Sequence, residues 1–205
     1  MRNPIFAGLA IFVAAAAVSV FSPAMKLETK AQTGPLLVAG TPVAEFDGDG
    51  ALKRPENIEN WVFLGASLGM GYNEAVPFDP ETPGNFQTVL MEPNAFREYQ
   101  KTGSFPDGSM FALLFHGTRT NVSINESGFV MGDHLALEIH LKDRVRFPET
   151  GFNFFFFGPD DMTAEAPDAP NGCTSCHIEH GETQGVFTQF YPTLKSKLAG
   201  HGKAE

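Results

Sequence analysis

The stretch Cys173-Thr174-Ser175-Cys176-His177 carries the residue types and spacing best suited to chemistry. A haem attached covalently needs two thiols that can each add to a vinyl group, and a two-residue spacer in a turn or helix sets them at that separation. The histidine that follows then lies under the ring, where its imidazole can coordinate iron. Other uses of the same residues fit less well. A thioredoxin-type redox pair wants a βαβ context and has no need of His177. A zinc ion could recruit Cys173, Cys176 and His180, but structural zinc normally draws a second ligand pair from further along the chain. A disulfide between Cys173 and Cys176 would close too short a loop to stabilise much. The chain has only these two cysteines, so the reading is one haem c, held by Cys173 and Cys176 with His177 on the iron, and no disulfide.

The sixth iron position decides what such a haem does. A simple electron carrier fills it with Met or a second His, and Met91, Met110, Met131, His116, His134, His140 and His180 are nominal candidates. None stands in a context that marks it as a ligand. His180 is three residues beyond His177 and belongs on the surface of the same helix.

The elements that must position this motif are mostly strands. Gln87 to Met91, Ser109 to Phe115, Phe129 to Leu141 and Phe152 to Phe157 carry strand signals, separated by turn-like Pro106-Asp107-Gly108 and Glu126-Ser127-Gly128. Successive strands without long helices between them predict a mainly β (α+β) domain with an antiparallel sheet and a few helices, the attachment motif lying near its C-terminus. In the third strand Leu135, Leu137, Ile139 and Leu141 face the core, while His134, Ala136, Glu138 and His140 share the opposite face, which periodicity alone assigns to solvent. Ser109, Phe111, Leu113 and Phe115 share one face of the second strand and Met110, Ala112 and Leu114 the other, so that strand is expected to be covered on both sides.

Two helices are expected. Glu92 to Gly103 has Pro93 in its first turn, an apolar stripe of Ala95, Phe96 and Tyr99, and Gly103 to close it. A shorter helix is expected over Glu56 to Gly65, carrying Trp61. Leu27 to Pro55 is rich in Gly, Pro, Thr and Asp and reads as a leader on the surface rather than part of the core. Pro159 to Pro170 reads as a loop.

Composition narrows the function classes. Fourteen Lys and Arg against 24 Asp and Glu give a net charge of -10, which lacks the basic stripe that nucleic-acid binding draws on. Twenty phenylalanines beside three tyrosines point to a large apolar interior. At the N-terminus Arg2, the apolar run from Ile5 to Phe21 and the small residues of Ser22-Pro23-Ala24 have the layout of a secretory signal over residues 1–24. Cleavage near Ala24 and a periplasmic location are expected, and that compartment suits covalent haem attachment.

Trp61-Val62-Phe63-Leu64-Gly65, Phe105-Pro106-Asp107-Gly108, Gly128-Phe129-Val130-Met131-Gly132-Asp133 leading into Leu137-Glu138, Lys142-Asp143 and Arg146-Phe147, the haem motif, and Val186-Phe187-Thr188-Gln189-Phe190-Tyr191-Pro192 together resemble the cytochrome P-460 family, which includes the cytochromes c′-beta. The resemblance covers residues 43–194, leaving a flexible leader over 25–42 and a tail over 195–205. It implies a mainly antiparallel β fold, a homodimer, one haem c, and five-coordinate iron with an open distal face. The hydroxylamine-oxidising branch carries a lysine, five residues past the Gly of the Asp-Gly turn, that bonds to the haem ring. Counted from Gly108 that position is Leu113, so the chain is closest in character to a cytochrome c′-beta.

The resemblance places Phe111, Leu113 and Phe115 as an apolar distal cap, which admits small neutral gases and offers water and anions no hydrogen bond. It also places Glu138 where the hydroxylamine-oxidising branch has a distal carboxylate that accepts protons. Beside such a wall a carboxylate either has a raised pKa or reaches water. The expected function is thus a haem protein that binds nitric oxide, and carbon monoxide in the laboratory, with a possible periplasmic redox partner. The alternatives are a hydroxylamine oxidoreductase using Glu138 as catalytic base, and a six-coordinate electron-transfer cytochrome c.

Overall fold

The computed structural model describes residues 44–71 and 78–195. The expected signal segment, the leader over 25–42 and the tail beyond residue 195 lie outside the described residues. An antiparallel sheet dominates, built from β2 (Val62–Leu68), β3 (Phe86–Met91), β4 (Met110–Arg119), β5 (Val130–Lys142) and β6 (Phe152–Phe157), each strand pairing with its neighbour in sequence. A short ladder of β1 (Leu52–Lys53) and β7 (Thr163–Ala164) accompanies it. The helices are α1 (Pro93–Thr102), α2 (Gly172–His180) and α3 (Pro192–Lys195). This is the mainly antiparallel β architecture that the strand pattern predicts.

The two faces of the sheet are covered differently. Met110 and Ala112 of β4, Leu137, Ile139 and Leu141 of β5, and Phe155 and Phe157 of β6 form one buried apolar cluster with Leu52 and Ala164. On the other face, one end is filled by Leu64, Met91 and Phe111 packed against Ala95 and Tyr99 of α1, Phe105, Val186 and Leu194 of α3. The rest of that face is the floor of a cavity.

Helix α1 forms as its sequence predicts. Glu92 caps it by accepting from the backbone N–H groups of Asn94 and Ala95 at 2.8 and 2.7 Å. Gly103 closes it in the left-handed conformation, φ 71°.

Three expectations are corrected. The helix expected over Glu56 to Gly65 is a single 3₁₀ turn at Ile58–Asn60, and Val62 onward is strand β2. The turn begins at Asn57 in the left-handed region without a side-chain cap, and the following Trp61 is already extended. The bulky Val62 and Phe63 then favour the sheet. Secondly, the leader-like composition up to Pro55 conceals core residues: Leu52 is fully buried, and the Phe46 ring meets Phe155 edge-on at 6.1 Å. Pairing of Leu52 with Ala164 supplies the backbone partners that such a short segment needs. Thirdly, the face of β5 that periodicity assigned to solvent is largely covered, with Ala136 and His140 buried and Glu138 half-buried.

Candidate functional site

The cavity, about 370 Å³, is lined by the proposed attachment and distal residues: Phe111, Leu113 and Phe115, Glu138, and Cys173, Cys176 and His177. Its size lies within the roughly 300–1,000 Å³ usual for small-molecule sites. Register explains the floor. Phe111, His140 and Phe154 stand abreast across β4, β5 and β6, and the next row on the same face is Val89, Leu113, Glu138 and Phe156. In β2 a bulge at Leu64, between the pairs Phe63–Leu90 and Gly65–Val89, brings Gly65 into that second row. A Cβ at Gly65 would stand 3.2 Å from the Tyr191 ring, a tight contact to which the ring would have to yield.

Helix α2 forms the roof. Asn171 caps it with a reciprocal pair: its side-chain oxygen accepts from Thr174 N–H at 3.0 Å, while its own N–H donates to Thr174 Oγ1 at 2.8 Å. The Asn171 amide also donates to Asn153 Oδ1 of β6 at 3.2 Å, which fixes the start of the helix to the sheet. Thr174, one of the two spacer residues in the cysteine motif, is therefore a cap residue and is fully buried. Both thiols are free, Cys173 exposed and Cys176 half-buried. Burial raises the Cys173 thiol pKa, and the nearby Glu138 raises it further.

His177 sits in an aromatic setting, its ring centroid 4.3 Å from Phe187 and 4.7 Å from Phe154. Its Nδ1 donates to the Gly185 carbonyl at 2.7 Å. That bond fixes the tautomer and leaves Nε2 with its lone pair free to coordinate a metal. Burial lowers the His177 pKa, opposed by the hydrogen bond to the Gly185 carbonyl, a shift that favours the neutral ring metal ligation needs. Gly185 has φ 78°, and a Cβ on it would fall 2.4 Å from the Phe152 ring. Only glycine can present the carbonyl here.

The sixth-ligand candidates separate clearly. Met91 and Met110 are fully buried in the two core clusters, and Met131 and His180 are exposed. His116 and His134 face each other at 5.2 Å, with Arg54 Nη2 at 3.2 Å from His134 Nε2, and neither lines the cavity. His140 does line it and is 7% exposed. It packs on His177 at 5.3 Å and shares Phe152 and Phe154 with it, so it lies beside His177 rather than across the cavity from it. Burial first, then the neighbouring His177 and Lys142, push its pKa well down, and its Nε2 has no hydrogen-bond partner among the described residues.

Met70 was not singled out from the sequence, yet its side chain lines the cavity. Standing in Leu68-Gly69-Met70-Gly71, it carries no periodic signal, and only the closure of β2 onto β3 brings it there. Among the described residues no group of three or more His, Cys, Asp or Glu could hold a metal ion. The zinc set of Cys173, Cys176 and His180 does not assemble, because His180 turns outward toward Glu179 at 3.8 Å.

An antiparallel sheet with one face floored for a ligand, roofed by a Cys-x-x-Cys-His helix, defines a small haem-binding β protein. The family model described as Cytochrome P460 matches residues 55–188, and the chain belongs to that family. Membership implies a haem cofactor. A search of curated proteins finds no match. The residues present fit a haem: the floor is apolar apart from Ser67, Gln87, Glu138 and His140, two thiols and a tautomer-fixed imidazole face it from the roof, and His140 Nε2 is a buried polar atom with no partner among the described residues.

Proposed function

We propose that this chain is an exported, homodimeric haem c protein that captures nitric oxide at five-coordinate iron. The observation that carries the reading is the convergence of Cys173, Cys176 and His177 with Leu113 and Phe115 on one cavity. Cys173 and Cys176 would anchor the haem covalently and His177 Nε2 would ligate the iron. When bound, the haem supplies an iron that takes up diatomic gases and can change oxidation state.

The chain's own residues set the selectivity. Leu113, Phe115 and Val89 offer neither donor nor acceptor, so water and anions gain nothing on entering while a neutral diatomic loses little. Burial raises the pKa of Glu138, which makes its carboxylate a stronger proton acceptor beside this wall than an exposed one. That observation favours hydroxylamine oxidation, with Glu138 as base, as a second reading. Leu113 at the position of the cross-linking lysine weighs against it. Met70 supports a third, a six-coordinate electron carrier for a periplasmic redox partner.

Titration of the ferrous protein with nitric oxide tests the proposal, which expects one gas molecule bound per chain. An absorption spectrum unmoved by the gas would overturn it. Met70→Leu distinguishes the third reading: it leaves the resting spectrum unchanged if the iron is five-coordinate and converts low-spin to high-spin if Met70 is a ligand.

A further inference from the structure

The carbonyl that holds His177 belongs to a two-residue turn. Thr183 and Val186 pair across it, with Thr183 N–H donating to Val186 O at 3.3 Å and Val186 N–H to Thr183 O at 2.9 Å. Between them Gln184 and Gly185 have φ 52° and 78°, both in the left-handed region that such a turn requires at its two central positions. Gly185 adopts this freely. Gln184 does so against the preference of a residue with a long side chain, and strain of this kind persists where the surroundings over-determine it.

The surroundings are visible. Gln184 Oε1 accepts from the backbone N–H of Phe105 at 2.7 Å and from Ser104 Oγ at 3.3 Å. Phe105 is itself fixed, being 2% exposed and stacked on Tyr99 of α1 at 4.2 Å. The Gln184 side chain therefore ties the turn that braces His177 to the rigid junction between α1 and β4. Asn would be too short for this reach and Gly would have nothing to reach with.

We propose that Gln184 is a positioning residue for the iron ligand: its bond to Phe105 N–H sets the Gly185 carbonyl against His177 Nδ1. The inference rests on His177 being the haem ligand, as proposed above. A donor bond from Nδ1–H to a carbonyl makes the imidazole more basic toward iron, so loosening the turn weakens the iron–histidine bond and favours the ferrous state.

The test uses the ferrous holoprotein, with resonance Raman reading the iron–histidine stretch and a redox titration reading the potential. Gln184→Gly removes the tie and relieves the backbone, so misfolding through strain is avoided. It is expected to shift the stretch to lower wavenumber and raise the potential. Gln184→Met, which keeps the bulk without an acceptor, is expected to shift both the same way, while Gln184→Glu, which keeps an oxygen for Phe105 N–H, restores the wild-type values. An unchanged stretch in both the Gly and Met variants overturns the proposal. If the wild-type ferrous protein shows no iron–histidine stretch, the reading of His177 as the iron's one protein ligand falls, and this inference falls with it.

Discussion

Alternate residues of the same strands build the two faces of the sheet, and the faces are put to opposite uses. On β5, Leu137, Ile139 and Leu141 go into a closed apolar cluster with no exposed polar atom among them. Ala136, Glu138 and His140 go to the cavity side, which retains an ionisable carboxyl and a buried imidazole without a hydrogen-bond partner at Nε2. The closed face behaves as an ordinary core, where each side chain gains from burial and packing. The cavity face forgoes that packing around a space of about 370 Å³. Burying Glu138 and His140 is unfavourable for the folded chain alone, and a group bound in the space would offset that cost.

The largest effect that separates the faces is expected from the roof. Cys173→Ala together with Cys176→Ala should abolish covalent haem, so that the mass of the denatured chain falls to that of polypeptide alone. Any haem mass remaining would mean that other residues make the attachment.

A smaller contrast lies within one sheet. Ile139→Ala on the closed face should lower unfolding stability by about 2–5 kcal/mol, as deletion of a fully buried aliphatic side chain does. Leu113→Ala, half-buried beside existing empty space, should cost less than Ile139→Ala in denaturant melts but change gas affinity, which Ile139→Ala should not. Equal losses of stability with no change in affinity would mean that the faces are not functionally distinct.

The smallest expected effect concerns pH. Burial raises the Glu138 pKa, so the folded state holds a proton there that the unfolded chain has released. The stability tied to this group is fully present below the ordinary carboxylate range and is lost as pH rises through the raised value. Glu138→Gln should flatten that part of the stability profile and raise stability at neutral pH. An unaltered profile would show that Glu138 is solvated.

Much of this arrangement was legible in the sequence because two periodicities and one motif carry it. The alternation of Leu135, Leu137, Ile139 and Leu141 marks the closed face, although Leu135 at its start proves exposed, and the apolar residues on both faces of β4 mark the strand that lies between two layers. Alternation could not say what covers His140 and Glu138, because the cover is α2, more than thirty residues away, and no local signal links them. The same limit hid Leu52, a core residue in a Gly- and Asp-rich setting whose burial depends on pairing with Ala164. Met70 and Gln184 were missed for a related reason. Each acts through a contact made only when distant segments close, although the Gln184-Gly185 dipeptide between Thr183 and Val186 could have been read as a tight turn.

The proposed gas capture requires that His177 be the one protein ligand of the haem iron. The absorption spectrum of the ferrous protein, taken before and after carbon monoxide, tests it most directly. A five-coordinate high-spin spectrum at rest is expected to convert fully to a six-coordinate carbonyl spectrum. A low-spin six-coordinate spectrum at rest that carbon monoxide leaves unchanged would contradict it.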